Sequence, residues 1–160
     1  MSGKRLSGPE AWELADLVGA SYVAIAEIAG DAAGAHGVNL SELIGLAILA
    51  QHPEGLTQTQ WGRLQGVSRQ RAHTVTQGLV RRRLVVSRRR GRSSQVRLSA
   101  AGARLTDEMR ESVGARLSSA MADVDASTLR ELIRILPALL ESLNRARATR
   151  ADDDAVRAGK

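Results

Sequence analysis

The stretch LTQTQWGRLQGVSRQRAHTVTQGLVRRRLV, residues 56–85, decides the fold. Thr57 and Gln60 form a T-x-x-Q capping box: the threonine hydroxyl accepts from the Gln60 amide while the Gln60 side chain reaches back. Trp61 and Leu64 give the helix that follows an apolar face, and Gly66 supplies the left-handed residue that ends it. Ser68 then caps a second, longer helix whose Ala72, Val75, Leu79 and Val80 face inward. Two helices joined by a short turn containing glycine, the second the longer, form the helix-turn-helix pattern.

Downstream, RRRLVVSRRRGRSSQVRLS (residues 81–99) carries eight arginines and no acid. Leu84 and Val86 alternate with exposed residues, as do Val96 and Leu98, and Arg90, Gly91 and Arg92 fall at the turn, so a two-stranded hairpin is expected. A helix-turn-helix followed by a basic hairpin is a winged helix. Upstream, NLSELIGLAILAQHPEG offers Asn39 or Ser41 as the cap of an apolar helix that stops at Pro53 and Gly55. Before it, Pro9 opens a long amphipathic helix with Trp12, Leu14, Leu17, Val18, Tyr22, Ile25 and Ile28 on one stripe, ending between Gly30 and Gly37.

On the far side, Ser99 caps a helix through Leu105, Met109, Val113, Leu117 and Met121. Asp125 or Ser127 caps a last one, with Leu129, Leu132, Ile133, Leu136, Leu140 and Leu143 on a stripe that Pro137 is expected to kink or break. The expected fold is therefore mainly α with a small two-stranded β-wing, a winged helix-turn-helix flanked by N- and C-terminal helices whose wide apolar stripes fit dimerisation helices, the alternative being that they pack on one another within a monomer. Residues 1–39 are the N-terminal dimerisation helix and connector, 40–99 the winged helix, 100–148 the C-terminal dimerisation helices, and 149–160 a disordered tail.

Charge is distributed unevenly. The chain of 160 residues has a net charge of +6, yet between Gly55 and Thr106 there are twelve arginines and no carboxylate. Solvated faces ordinarily mix signs because like charges repel. So long a one-signed segment fits a polyanionic partner, with nucleic acid first and an anionic membrane surface second. The membrane is the weaker fit, because the basic segment is a hairpin and a capped helix without an aromatic apolar face.

Composition narrows the remaining classes. Cysteine is absent, which excludes disulfides, thiolate metal sites and thiol redox chemistry. His36, His52 and His73 lie in separate segments, no nucleophile elbow, paired-histidine zinc motif or phosphate loop occurs, and neither an enzyme nor a bound metal or cofactor is expected. The N-terminal MSGKRLSGPEAWELADL lacks the apolar core of a signal peptide, so the expected location is cytoplasmic.

The order of elements and the residues in them resemble the MarR family of bacterial winged-helix regulators. The likeness covers nearly the whole chain and is specific from Leu40 to Gly102. Residues 56–85 are similar to the family's pattern of L-T, a short helix, a small turn, a serine or acid before an arginine, and a recognition helix ending in L-V. LSAAG, residues 98–102, is similar to the family's L-T-x-x-G that closes the wing. Two departures stand out: Arg90 occupies the place of the family's wing aspartate, two residues before the matching Arg92, and Gly78 lies where many members carry a basic residue.

The resemblance implies a homodimer that acts as a transcription regulator, more often a repressor than an activator, on a pseudo-palindromic operator in double-stranded DNA. It also implies release by a small-molecule effector bound between the dimer helices and the winged helix, for which Tyr22, His36 and His52 are the candidate lining. For reading base edges, the outward residues Arg69, Gln70, Arg71, His73, Thr74 and Gln77 and the capping Ser68 are the candidates. Arg81 and Arg82 at the helix end, Arg88, Arg89, Arg90 and Arg92 on the wing, and Thr57 and Gln58 at a helix start are the candidates for phosphate or minor-groove contact. The competing reading is a non-specific or architectural DNA-binding protein.

Overall fold

The computed structural model describes residues 5–90 and 93–158. Six helices and three short strands follow in the order α1 (Gly8–Gly34), α2 (Leu40–Ala50), β1 (Leu56–Thr57), α3 (Gln58–Gln65), α4 (Arg69–Arg81), β2 (Val85–Arg90), β3 (Ser93–Leu98), α5 (Ala100–Ala120) and α6 (Ala126–Ala158). The chain divides into two compact units, one ending at Ser119 and the other beginning at Ala120.

In the first unit, capping boxes set the helix starts. Ser7 and Glu10 close α1, Asn39 and Glu42 close α2, and Thr57 and Gln60 close α3. The core gathers Leu46 and Leu49 of α2, Trp61 of α3, Val75 and Leu79 of α4, Val85 and Val96 of the hairpin and Met109 of α5. Trp61 is fully buried and its indole N–H donates to the Gly45 carbonyl at 2.9 Å, which ties α3 to α2. Only the last turns of α1 join this core, through Ala29, Ala32 and Ala33; residues 5–25 are exposed on every side.

The end of α4 explains how the wing is launched. Arg83 takes a left-handed conformation (φ 58°), the Arg83 amide donates to the Val80 carbonyl, and the Leu84 amide to the Leu79 carbonyl. This is a Schellman closure with arginine in the place glycine usually fills. At the other end of the hairpin, Ser99 donates its amide to the Leu84 carbonyl at 3.0 Å and its hydroxyl to the Arg83 carbonyl at 2.7 Å, while accepting from the Gly102 amide. The LSAAG run thus pins α5 to the turn after α4. Gly102 makes this possible, since a Cβ there would lie 1.9 Å from the Leu84 oxygen.

Three expectations change. The wing sheet has three strands in the order β1-β3-β2, because Leu56 and Thr57 pair antiparallel with Val96 and Gln95; two residues are too few to show alternation. The inward residue of β2 is Val85 rather than Val86, because the left-handed turn at Arg83 spends Leu84, itself buried, before the strand begins. Leu64 is half exposed, since α3 packs through Trp61, Gly62 and Gln65 instead. In the second unit, α6 runs from Ala126 to Ala158 with Pro137 inside it.

That second unit is a single long helix, capped by Asp125, which accepts from the Ser127 hydroxyl and from the Thr128 amide. These two bonds hold the Asp125 carboxyl below its ordinary range. Its Leu132, Ile133, Leu136, Leu140 and Leu143 are exposed, as are Trp12, Leu17, Val18, Tyr22 and Ile25 on α1. By length and composition α1 is apolar enough to cross a bilayer.

Candidate nucleic-acid interface

Helix α4 has two unlike faces. Ser68 caps it by accepting the Arg71 amide at 3.2 Å, and Gly66 (φ 69°) sets the turn that brings α3 and α4 together. That crossing is close: a Cβ on Gly62 would stand 2.9 Å from the Ala72 Cβ. Ala72, Val75, Thr76 and Leu79 are buried, and the Thr76 hydroxyl donates to the Ala72 carbonyl, so this polar residue costs the core nothing. The opposite face exposes Arg69, Gln70, Arg71, His73, Thr74 and Gln77 side by side. The fold therefore brings six of the seven expected reading residues onto one solvent-facing surface, and the seventh, Ser68, is exposed at the helix start as its cap.

Those side chains are not equally free. The Thr74 hydroxyl donates to the Gln70 carbonyl at 3.1 Å. Gln58, half-buried at the start of α3, places its amide nitrogen 3.3 Å from Nδ1 of His73. Thr57, expected to offer its amide to a phosphate, spends that amide on Gln60 Oε1 at 2.9 Å and its hydroxyl on the same oxygen at 2.8 Å. The capping box that starts the helix leaves Thr57 nothing to donate.

Arg82 also differs from expectation. It pairs with Glu42 of α2 at 3.2 Å, and Glu42 simultaneously accepts the Asn39 amide. A side chain engaged in this way ties α4 to α2 and is not an unpaired charge at the helix end. At Gly78 a Cβ would lie 3.7 Å from Glu42 Oε1, an ordinary contact, so the space there does not demand glycine.

On the wing, Arg88 and Arg89 are exposed and face Gln95 and Ser94 across the ladder. Arg90 pairs with Ser93 through its backbone, while the expected phosphate contact at Arg92 lies outside the described residues. Sequence reasoning missed Arg97: it is exposed opposite Val86 and, with Glu54, Arg88, Arg89 and Gln95, lines an open hollow of about 300 Å³. The alternation around Val96 and Leu98 already placed it outward. Arg81 is exposed in the last turn of α4.

Of the candidate ligand residues, the structure gathers one. Tyr22 lines an apolar cleft of about 430 Å³ together with Ile25, Leu43, Ile44, Val113 and Leu117, with Thr106 and Arg110 among its few polar neighbours. His36 and His52 do not line it; His52 instead faces Glu54 at 3.3 Å. Among the described residues no three His, Asp or Glu side chains cluster as metal ligands would.

The sequence matches no family model, and it matches none of the curated proteins. Solved structures resemble it closely in shape. A MarR-family transcriptional regulator from Rhodococcus sp. RHA1 superposes with a TM-score of 0.74 at 16% identity, over 83% of this chain and 96% of that one. The MarR-family protein Rv2887 of Mycobacterium tuberculosis, in complex with p-aminosalicylic acid, gives 0.69 at 27% identity over 79% and 97%. The same mycobacterial protein in complex with DNA gives 0.66 at 25% identity over 79% and 96%.

Proposed function

We propose that this chain, whose fold is that of the MarR-family winged-helix regulators, is a sequence-specific double-stranded DNA-binding transcription regulator that works as a homodimer on a pseudo-palindromic operator. One observation carries the reading: α4 buries one face in the core and offers Arg69, Gln70, Arg71, His73 and Gln77 on the other, beside a wing bearing Arg88, Arg89 and Arg97. Arginine and glutamine supply the paired donors and acceptors that match guanine and adenine edges, and the wing arginines neutralise phosphates. A mycobacterial neighbour solved with DNA supports the same role.

The dimer rests on the exposed apolar faces of α1 and α6. Leaving Trp12, Leu17, Val18, Ile133 and Leu140 in water is costly, at about 25 cal/mol per Å² of apolar surface, and a second copy relieves that cost. Burial in lipid suits α1 less well, because Glu10, Glu13, Asp16, Glu27 and Asp31 would enter the bilayer with it. Repression is the reading of choice, with an effector of largely apolar body seated in the cleft beside Tyr22; a neighbour solved with p-aminosalicylic acid supports a small-molecule effector. Such a protein acts in the cytoplasm, where its DNA is, and performs no catalysis.

Two measurements test this. Affinity for a preferred duplex should exceed that for random DNA by ~10³- to 10⁷-fold, and a ratio near one ends the claim of specificity. Sedimentation equilibrium should give twice the mass of the 17.1 kDa chain, and a Leu17→Glu variant should shift the population toward monomer. A wild-type protein that stays monomeric at all concentrations contradicts the dimer.

A further inference from the structure

We infer that Gln58 is a positioning residue for His73: it holds the imidazole as the tautomer protonated on Nε2 and aims that N–H at an acceptor on a base edge. The inference deepens, and rests on, the reading of α4 as the helix that reads DNA.

The geometry is specific. The Gln58 amide nitrogen stands 3.3 Å from His73 Nδ1, across fifteen residues of chain and between two helices. With the amide nitrogen turned to the ring, as it stands here, the NH₂ donates and has no accepting lone pair, which makes Nδ1 the acceptor. In a neutral imidazole the single proton then sits on Nε2, at the far side of the ring. His73 is exposed at the second turn of α4, with Arg69 one turn before it and Gln77 one turn after. An exposed histidine with no partner samples several rotamers and both tautomers. Here the partner comes from α3, whose position against α4 is fixed by the Gly62–Ala72 approach.

The consequence is chemical. With Nε2–H outward, His73 offers a donor, which suits guanine O6 or N7, adenine N7 or thymine O4 and rejects the cytosine amino group. With the other tautomer it would offer an acceptor and invert that preference. Gln58 therefore helps to choose the base without touching it.

The first arm of the test uses the free full-length protein, by nitrogen-detected NMR of the His73 ring in alkaline buffer. The wild type should show the Nε2–H tautomer and Gln58→Ala a mixture of both; the same ring shifts in both proteins would overturn the pairing. The second arm compares sequences bound from a random duplex pool. Gln58→Ala and His73→Ala should weaken preference at the same base pair, each about three- to tenfold, and the double variant no more than either. His73→Gln, whose amide reaches the place of Nε2, should keep the preference and become indifferent to Gln58→Ala. Losses at different base pairs, or losses that multiply, would overturn the positioning role. A wild type that selects no sequence would sink the reading of α4 itself, and the NMR arm separates that failure from failure of the Gln58–His73 pair.

Discussion

Arg82 and Glu42, forty residues apart in the chain, meet at 3.2 Å where the end of α4 crosses the start of α2. Glu42 is mostly shielded from water and plays two parts at once: it caps α2 through Asn39 and pairs with Arg82. The same helix α2 forms one wall of the apolar cleft through Leu43 and Ile44. Helix α2 thereby lines the cleft on one side and holds the end of α4 through the Glu42–Arg82 pair.

Removing one partner should cost stability more than DNA affinity. Arg82→Ala or Glu42→Gln is expected to destabilise the fold by about 1–2 kcal/mol, discounted for the partial exposure of Arg82. Thermal denaturation measures the loss. The salt dependence of DNA binding should stay as in the wild type for Arg82→Ala; a shallower slope would return Arg82 to the residues that touch phosphate.

Arg83 sits in a left-handed conformation that costs a residue with a Cβ about 1–2 kcal/mol. Arg83→Gly should therefore raise stability, by about 0.5–1 kcal/mol once the greater freedom of glycine in the unfolded chain is set against it. A fall in the denaturation midpoint would mean that the arginine side chain contributes more than its backbone costs.

Gly102 has the opposite character. A methyl group at this position would collide with the Leu84 carbonyl, and relief requires α5 to move away from the turn that Ser99 pins. Gly102→Ala should cost about 1–3 kcal/mol or more, as overpacking does. Urea denaturation with an unchanged slope and a lower midpoint is the expected result, whereas wild-type stability would show that the packing there is loose.

Much of this architecture was legible in the residues. The capping box at Thr57, the turn glycine at Gly66 and the cap at Ser68 are local chemistry, and each appears in the structure where the sequence places it. What escaped depends on distance in the chain. The strand β1 exists only because Val96 and Gln95 come alongside, Leu64 yielded its place to Gly62 and Gln65 when α3 met α2 and α4, and Arg82 looked free until Glu42 arrived from forty residues away. On the reading surface, the helical period alone selected the exposed face of α4, whereas the Gln58–His73 pair could not be read from spacing because it joins two elements.

The wing arginines should act on phosphates. Changing Arg88 and Arg89 together to Ala is expected to weaken binding to all duplexes alike and to flatten the log–log salt dependence by about 0.9 for each phosphate that a subunit no longer neutralises. Titration of one preferred and one random duplex over a salt series measures both effects. Weakening confined to the preferred duplex would assign the wing to base or groove-width reading instead.

The most direct test of the central claim is selection of bound sequences from a random duplex pool by the purified full-length protein at near-physiological salt. Two recognition helices related by a two-fold axis should enrich an inverted repeat with half-sites about one helical turn, roughly 10 bp, apart. Arg69→Ala or Gln70→Ala should then relax preference at one or two base pairs of each half-site, by ~1–3 kcal/mol. Enrichment of nothing beyond duplex DNA would contradict a sequence-reading α4 and leave an arginine-rich protein that binds DNA by charge alone.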